Sequence, residues 1–598
     1  MGKDFEFKGV FPYATKDNNV EKDKKSPKSC FNPCEQIRSM LKRGQIIGED
    51  EEPNQMIERV AKELANVELS FGNSEVDVRK MEKEIISHID DLKIIFSTPI
   101  LTNAGRYVEK PLSACVVPSI DFRESLNKIK KVINTYHQES MGTGFNLNDT
   151  EDPVKVLNML NKFAVEGASS GLENRPVGNI AILTINHPRI KEFILAKKNS
   201  KKEWKFNISI DVTEDFFESL RLGKDFALKD GTILNSQETF DLISESAYSN
   251  GEPGLVFMDR VERDNPTPNV GHYSSVAPCA EVGLVPGETC QFGYLNLGAF
   301  VTNEEVDLEG IKKATELLVR SLDNAMEISI SKYEIKNSSG VMKAKRKIGV
   351  GVCGVADLLA KLQLSYDSEE GRSTCKDIVA LINFTSKKTS VELGKERGSF
   401  TGLSGSRYME KPGFIEEKYQ GLNSHFVSSS AWEDLAENIR QNGKLRNCST
   451  ISLPPTGRSG KIISASTGIE PFFNLTLNNE VHPELLKLLK TEMEGEELKK
   501  SIVHILKNGS CQDLNISQKI KDIFKTAVEI DPMEHVKMVG ALQECVDESI
   551  SKTINFSSTT TVEEIKKIYL AAHGAGLKGV AIYVNHHSKR QPVQLKEE

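Results

Sequence analysis

Near the start of the chain, apolar residues recur at helical spacing. In PNQMIERVAKELANVELS, residues 53–70, the positions Met56, Ile57, Val60, Ala61 and Leu64 share one stripe, the pattern that turns one face of an α-helix toward a core. VRKMEKEIISHIDDLKIIF, from Val78 onward, repeats it. These segments predict an all-helical N-terminal domain over residues 36–95. Ahead of it, residues 1–35 are charged and broken by Gly, Pro and Ser, the composition of a flexible arm with little structure of its own.

From residue 96 the pattern changes to short β-type runs, AILTI, FNISIDV, GLVFMD and GVAIYV, separated by long amphipathic stretches. Alternation of this kind predicts an α/β architecture with parallel strands. The last unit is the clearest. Thr561 and Glu564 form a capping box, a helix follows to about Ala572, Gly574 and Gly576 stop it, and a strand comes next. No fixed-period repeat and no Pro-rich linker divides residues 96–590, which read as one catalytic unit followed by a short polar tail, 591–598.

Composition narrows the class. A formal net charge of −8 argues against a nucleic-acid groove, which needs a clustered basic face, and the lysine runs KDKKSPK and KKNSKKEWK read as solvated loops. The apolar runs are too short to span a bilayer, so no membrane association is expected. MGKDFEFKGV has no apolar signal core, and ten cysteines scattered through a long chain suit a reducing cytoplasm.

Several segments invite chemistry. GVGVCG, residues 349–354, fits a dinucleotide glycine pattern, but KAKRK precedes it with only Ile348 to stand for a strand, so close packing of glycines at a helix start is the expectation. Cys30 and Cys34 form a C-x₃-C pair without the further ligands zinc requires, so no metal is expected, and they remain candidates for a redox relay. PPTGRSG, residues 454–460, offers hydroxyls and backbone donors suited to phosphate oxygens. In APCAEVGLVPGETC, Glu281 follows Cys279 by two positions. A carboxylate raises a thiol's pKa, so this pairing suits hydrogen-atom chemistry with proton transfer better than thiolate attack.

STPILTNAG, LSACVVP, GTGFN, ILTINHPRIKEFI, FNISIDVT, GEPGLVFMD, APCAEVGLVPGETCQFGYLNLGAFV, GVCGVADLLAKLQLSYDSEEGR, RNCSTISLPPTGRSGKIISASTGIEPFF, DPMEHVKMVGALQECVDESISKTINFS and GLKGVAIYV occur in that order. Together they resemble the catalytic chain of ribonucleotide reductases, most closely the adenosylcobalamin-dependent class II. The resemblance implies a ten-stranded α/β barrel with an N-terminal helical cap and a finger loop carrying a cysteine into its centre. It implies Cys279 as the thiyl radical site, Glu281 as the group handling the 3′-hydroxyl proton, and Cys115 with Cys290 as the dithiol that becomes a disulfide as the 2′-hydroxyl leaves as water. Pro455, Thr456, Gly457, Arg458 and Ser459 would cradle the substrate's phosphates, with Thr98 and Ala277 also at the substrate. A thioredoxin-like or small dithiol reductant and a homodimer are implied as partners.

The chain departs from the family pattern inside the site. Ala277 stands where the family has Asn, Ala280 where it has Gly, and Ser140 and Met141 replace two glycines. Ile100 occupies the place of a substrate-facing Thr, the loop after GFN is shortened to LNDTED, ENRPVGNIA replaces an Arg-rich loop, and NHHSKRQPVQLKEE lacks the family's tail cysteine pair. Two other readings therefore stay open: a thiyl enzyme acting on a modified nucleotide or other sugar phosphate, and a catalytically silent nucleotide-binding paralogue.

Overall fold

The computed structural model describes residues 27–171, 177–198 and 202–585. Most of the arm, the tail, and parts of KKNSKKEWK and ENRPVGNIA lie outside the described residues. The amphipathic stripes form the helices Pro53–Asn66 and Glu75–Asp90, which bury Met56, Ile57, Val60, Ala61 and Leu64 against each other and against the long helix Leu308–Ile330.

The strands make a barrel of two parallel halves. The first half is β1 (Cys115–Val116), β2 (Gly142–Asn146), β3 (Asn179–Thr184), β4 (Phe206–Asp211) and β5 (Gly254–Val256), each parallel to the next. The second half is β6 (Phe292–Asn296), β7 (Gly349–Cys353), the extended segment 451–453, β8 (Thr553–Phe556) and β9 (Gly579–Val584), again parallel throughout. The halves meet antiparallel, β9 on β5 at one seam and Thr289–Cys290 on β1 at the other. Ten strand positions therefore close the barrel, as the resemblance implies. Its centre is filled by a hairpin, Ser275–Val276 paired with Gly283–Leu284, which carries Cys279 at its tip.

Local chemistry explains elements the hydrophobic pattern left unread. GVGVC is itself a buried strand, β7, where the expectation had been glycines at a helix start. Its glycines leave room for rings: a Cβ on Gly351 would lie 3.0 Å from the Tyr294 ring and 2.9 Å from Pro454. Gly354, at φ +71°, then turns the chain into the helix Val355–Lys361. The Thr561–Glu564 capping box is present, but its helix continues through Gly574, and the reversal falls at Gly576, φ +73°. No helix among the described residues is long and apolar enough to cross a membrane.

A buried ionic cluster docks the helical cap on the barrel. Glu68, after the first cap helix, accepts from Arg320 Nε at 3.0 Å, Arg397 Nη2 at 2.6 Å and Asn324 Nδ2 at 2.7 Å. Burial opposes the Glu68 carboxylate, but Arg320 and Arg397 outweigh it and hold its pKa below the usual carboxylate value. Removing Glu68 leaves two buried guanidinium groups with only Glu396 and Asp323 to balance them, so Glu68→Ala should cost about 3–5 kcal/mol of unfolding free energy. The lowered pKa makes this contribution complete above the unfolded value of 4.5 and lost as pH falls through the folded one. Urea unfolding of wild type and variant at pH 7 and at acid pH checks both; a loss below about 1 kcal/mol at pH 7 would contradict the docking role.

Candidate active site

The finger lies so close to β2 that only glycine fits beneath it. A Cβ on Gly144 would sit 2.0 Å from the Val276 carbonyl oxygen, and one on Gly142 would sit 3.0 Å from Pro278 and 3.4 Å from Cys115 Sγ. Residue 142 thus marks where the fingertip and Cys115 converge. Asn146 Nδ2 donates to Ser274 O at 2.6 Å, and Ala277 N donates to Val282 O at 2.9 Å across the hairpin.

At the tip, Ala280 N donates to Ala277 O at 2.7 Å, and Ala280 adopts φ +60°. That left-handed turn explains why glycine suits this position, and an alanine there carries about 1–2 kcal/mol of backbone strain. The turn leaves the Cys279 thiol exposed while folding Glu281 inward to 3% exposure. The Glu281 carbonyl is anchored from two sides, by Ser549 N at 2.9 Å and Ser452 Oγ at 2.8 Å.

The Glu281 carboxyl is buried in the protein interior. Burial pushes its pKa up to about 7, against the opposing effect of the backbone N–H groups of Glu281 and Cys279. Its Oε2 has no hydrogen-bond partner among the described residues. Leaving a buried carboxyl oxygen unsatisfied is costly unless a bound molecule supplies a donor. Tyr294, fully buried on β6, lies near both Glu281 and Cys290, and burial foremost raises its hydroxyl pKa well above the ordinary value.

Although 175 residues apart in sequence, Cys115 and Cys290 are directly opposed partners in an antiparallel ladder. Opposed residues bring their Cβ atoms to about 4.5–5.5 Å, close to the separation a disulfide spans. Both are reduced, Cys115 partly accessible and Cys290 buried. Burial first, then Cys115, raises the Cys290 thiol well above its ordinary pKa, so it stays protonated and available as a hydrogen donor. Cys279, Glu281, Cys115 and Cys290 thus share one neighbourhood inside the barrel.

The PPTGRSG segment follows the extended segment 451–453, whose Ser452 holds the Glu281 carbonyl, and opens the short helix Gly457–Ile462 with Thr456 at its cap position. Thr456 Oγ1 accepts from Gly468 N at 2.8 Å, and Ser459 Oγ donates to Phe96 O at 3.0 Å. These two side chains shape the loop, while Pro455 and Gly457 are exposed and Arg458 is half-buried. The Ser459 bond also draws the loop against the segment leading to half-buried Thr98. Ala277, Ile100 and Met141 are fully buried. Cys30 lies apart in the N-terminal segment, donating from Sγ to Asp90 Oδ2 at 3.2 Å; that bond raises its thiol pKa.

Sequence reasoning missed Tyr294, and it missed the buried lysine and glutamate pairs behind the hairpin. KAKRK was noted only as the charged run ahead of GVGVCG, yet its Lys345, Arg346 and Lys347 are all buried. The signal available was the acidic pair in CVDESIS, whose Asp547 and Glu548 are buried as well.

A barrel that holds a cysteine finger against a cysteine pair defines a class of thiol-based redox enzyme. Comparison with known proteins makes the class specific. The family description "Ribonucleotide reductase, barrel domain" matches residues 113–583, and "Ribonucleotide reductase, all-alpha domain" matches residues 40–107. The chain belongs to the ribonucleotide reductase large-chain family. It is 31% identical over 550 residues to a vitamin B12-dependent ribonucleoside-diphosphate reductase of Thermoplasma acidophilum, covering 86% of this chain and 65% of that protein. A protein of the same description from Mycobacterium tuberculosis is 28% identical over 565 residues, 89% of this chain and 74% of its own. Among solved structures, the Actinobacillus ureae class Id ribonucleotide reductase alpha subunit superimposes with a TM-score of 0.73 at 20% identity, covering 92% of this chain and 97% of that one, which shows a shared fold.

The strained tip yields a test. Ala→Gly normally destabilises by roughly 0.5–1 kcal/mol, but at φ +60° Ala280→Gly should be neutral or stabilising by up to about 1 kcal/mol. Thermal unfolding of the two proteins decides; a loss of about 1 kcal/mol would show that the alanine is unstrained.

Proposed function

We propose that the chain is an adenosylcobalamin-dependent ribonucleotide reductase, a cytoplasmic enzyme that converts ribonucleotides to 2′-deoxyribonucleotides. The observation that carries this reading is the convergence of Cys279 and Glu281 on the opposed Cys115–Cys290 pair. The names of the B12-dependent relatives support the cofactor, and the exposure of Cys279 at the fingertip fits a thiol that must meet a bound group. When bound, adenosylcobalamin supplies the one-electron chemistry that removes the thiol hydrogen atom.

The chain's own residues would do the rest. The Cys279 sulfur takes the 3′-hydrogen atom of the ribose while Glu281 accepts the 3′-hydroxyl proton. The unsatisfied Glu281 Oε2 is where that hydroxyl would bind. The Cys115–Cys290 dithiol gives up two electrons and two protons, the C2′–O bond is replaced by C2′–H, water leaves, and the two sulfurs join as a disulfide. Cys279 then returns the 3′-hydrogen atom, and Glu281 returns the 3′-hydroxyl proton. Burial of Cys290 and Tyr294 keeps bulk water from the intermediate. Pro455, Thr456, Gly457, Arg458 and Ser459, with Thr98, form the proposed phosphate end of the site, and Ala277 lies at the substrate. A thioredoxin-like protein or small dithiol would re-reduce the pair, and a homodimer is the proposed assembly.

The test is anaerobic turnover of ribonucleoside di- and triphosphates with adenosylcobalamin and a dithiol. Deoxynucleotide formation should disappear in Cys279→Ala; product persisting in that variant would overturn the assignment. Because the carboxylate of Glu281 is the active form and its pKa stands at about 7, kcat/KM should rise with pH through that value. Glu281→Gln should remove this limb and lower kcat/KM by roughly 10²–10⁴-fold. In stability the sign reverses: between 4.5 and about 7 the native protein holds a proton that the unfolded chain releases, so stability should fall with rising pH there, less steeply in Glu281→Gln.

A further inference from the structure

Behind the fingertip the hairpin touches a set of charges sealed from solvent. Lys347 is 1% exposed and Glu548 is 3% exposed, and their ion pair is 3.0 Å long. Between them they grip both backbone polar atoms of one residue: Lys347 Nζ donates to Gly283 O at 2.6 Å, and Gly283 N donates to Glu548 Oε2 at 3.3 Å. Gly283 pairs with Val276 in the hairpin ladder and lies two residues beyond Glu281. It has no room for a side chain, since a Cβ would lie 2.5 Å from Val261 and 2.7 Å from the Tyr273 ring.

Tyr273, at the base of the hairpin, completes the clamp. Its hydroxyl accepts from Lys347 Nζ at 3.0 Å and donates to Glu548 Oε1 at 3.3 Å. The same three residues, 547–549, hold the finger and are themselves held. Ser549 N reaches the Glu281 carbonyl at 2.9 Å, while Lys578 Nζ donates to the carbonyls of Asp547 at 2.9 Å and Glu548 at 2.8 Å. Asp547 accepts from Thr450 N at 2.8 Å and Tyr419 OH at 2.6 Å and pairs with Lys387. On the far side Glu288 pairs with Lys345 at 3.0 Å and Lys347 at 3.3 Å, and accepts from Val285 N at 2.9 Å.

Such an arrangement does more than fill space. An apolar contact would let the hairpin slide, whereas a desolvated charge pair is strongly unfavourable when displaced from its partners. Hydrogen-atom transfer demands placement of the reacting sulfur and base to fractions of an ångström. We infer that Lys347, Glu548 and Tyr273 are positioning residues that lock the Cys279–Glu281 fingertip in register against the Cys115–Cys290 pair through Gly283. None of them touches the proposed substrate; they act through the hairpin backbone. The catalytic part of this inference rests on the ribonucleotide-reductase reading, while the mechanical part does not.

Tyr273→Phe keeps the ring and removes only the bridging hydroxyl; Glu548→Gln keeps the shape and removes the charge; Lys347→Met is the severe variant and is used only if it folds. Amide hydrogen exchange of residues 275–284 is measured in the full chain beside exchange in the cap helix Glu75–Asp90. Alkylation of Cys279 by iodoacetamide is followed by mass spectrometry. Tyr273→Phe and Glu548→Gln should speed hairpin exchange about tenfold and change the Cys279 alkylation rate several-fold, leaving the cap helix unchanged. In turnover they should lower kcat tenfold or more with KM within about twofold. Hairpin exchange equal to wild type in both variants, or acceleration equal in hairpin and cap, would overturn the inference. A fall in KM-linked binding with unchanged kcat would do so too. If wild type reduces no nucleotide, the function proposed above fails, and exchange and alkylation still decide whether the clamp locks the finger.

Discussion

The structure depends on keeping a polar hairpin inside a barrel. Residues 275–284 bring backbone donors and acceptors, a carboxyl group and a thiol into a space most barrels fill with aliphatic side chains, and every unmet polar group there costs free energy. Within the hairpin, ladder bonds satisfy part of the demand. Further backbone groups are met from behind by Lys347, Glu548, Ser549 and Ser452, while the Glu281 carboxyl keeps one oxygen unmet. A lone charge at these positions would be severely destabilising, while the complete set is mutually compensating, so the bracket forms as a whole or the finger is not held.

From that constraint the asymmetry of the site follows. The tip leaves Cys279 exposed, and the same turn folds Glu281 into the interior, where burial raises its pKa to about 7. Cys115 and Cys290 belong to the seam where the two half-barrels meet, not to the finger. The exposed sulfur and the sulfur pair proposed to supply electrons are therefore held by different parts of the fold, and the distance between them is set by how far the finger enters. The glycines at 142 and 144 set that depth by letting the hairpin backbone lie directly on β2.

Much of this was legible from residues alone, for reasons that differ by element. The cap helices announce themselves because each buries one face against the barrel, and β3, β4, β5 and β9 because branched apolar residues line them. GTGFN and GVGVC stayed unread as strands because their glycines serve close approach, to the finger and to the Phe292 and Tyr294 rings, and carry little hydrophobic signal. The four reactive residues were named from motif order, but their convergence depends on a ladder pairing between positions 115 and 290 that no local pattern encodes. KAKRK gave no local sign of its place, because charge normally marks solvent. Here Arg346, at φ +50°, turns toward Asp323 while Lys345 and Lys347 turn toward Glu288, so a run of basic residues serves two buried clusters.

A single-turnover experiment tests the central claim most directly. The protein, fully reduced, is mixed anaerobically with adenosylcobalamin and a ribonucleotide in the absence of any external thiol, quenched by alkylation, and mapped by mass spectrometry. The account predicts one deoxynucleotide per active chain together with a disulfide joining Cys115 to Cys290, with the other cysteines still alkylated as thiols, since a two-electron reduction consumes one dithiol. Deoxynucleotide formed while Cys115 and Cys290 remain reduced would contradict it.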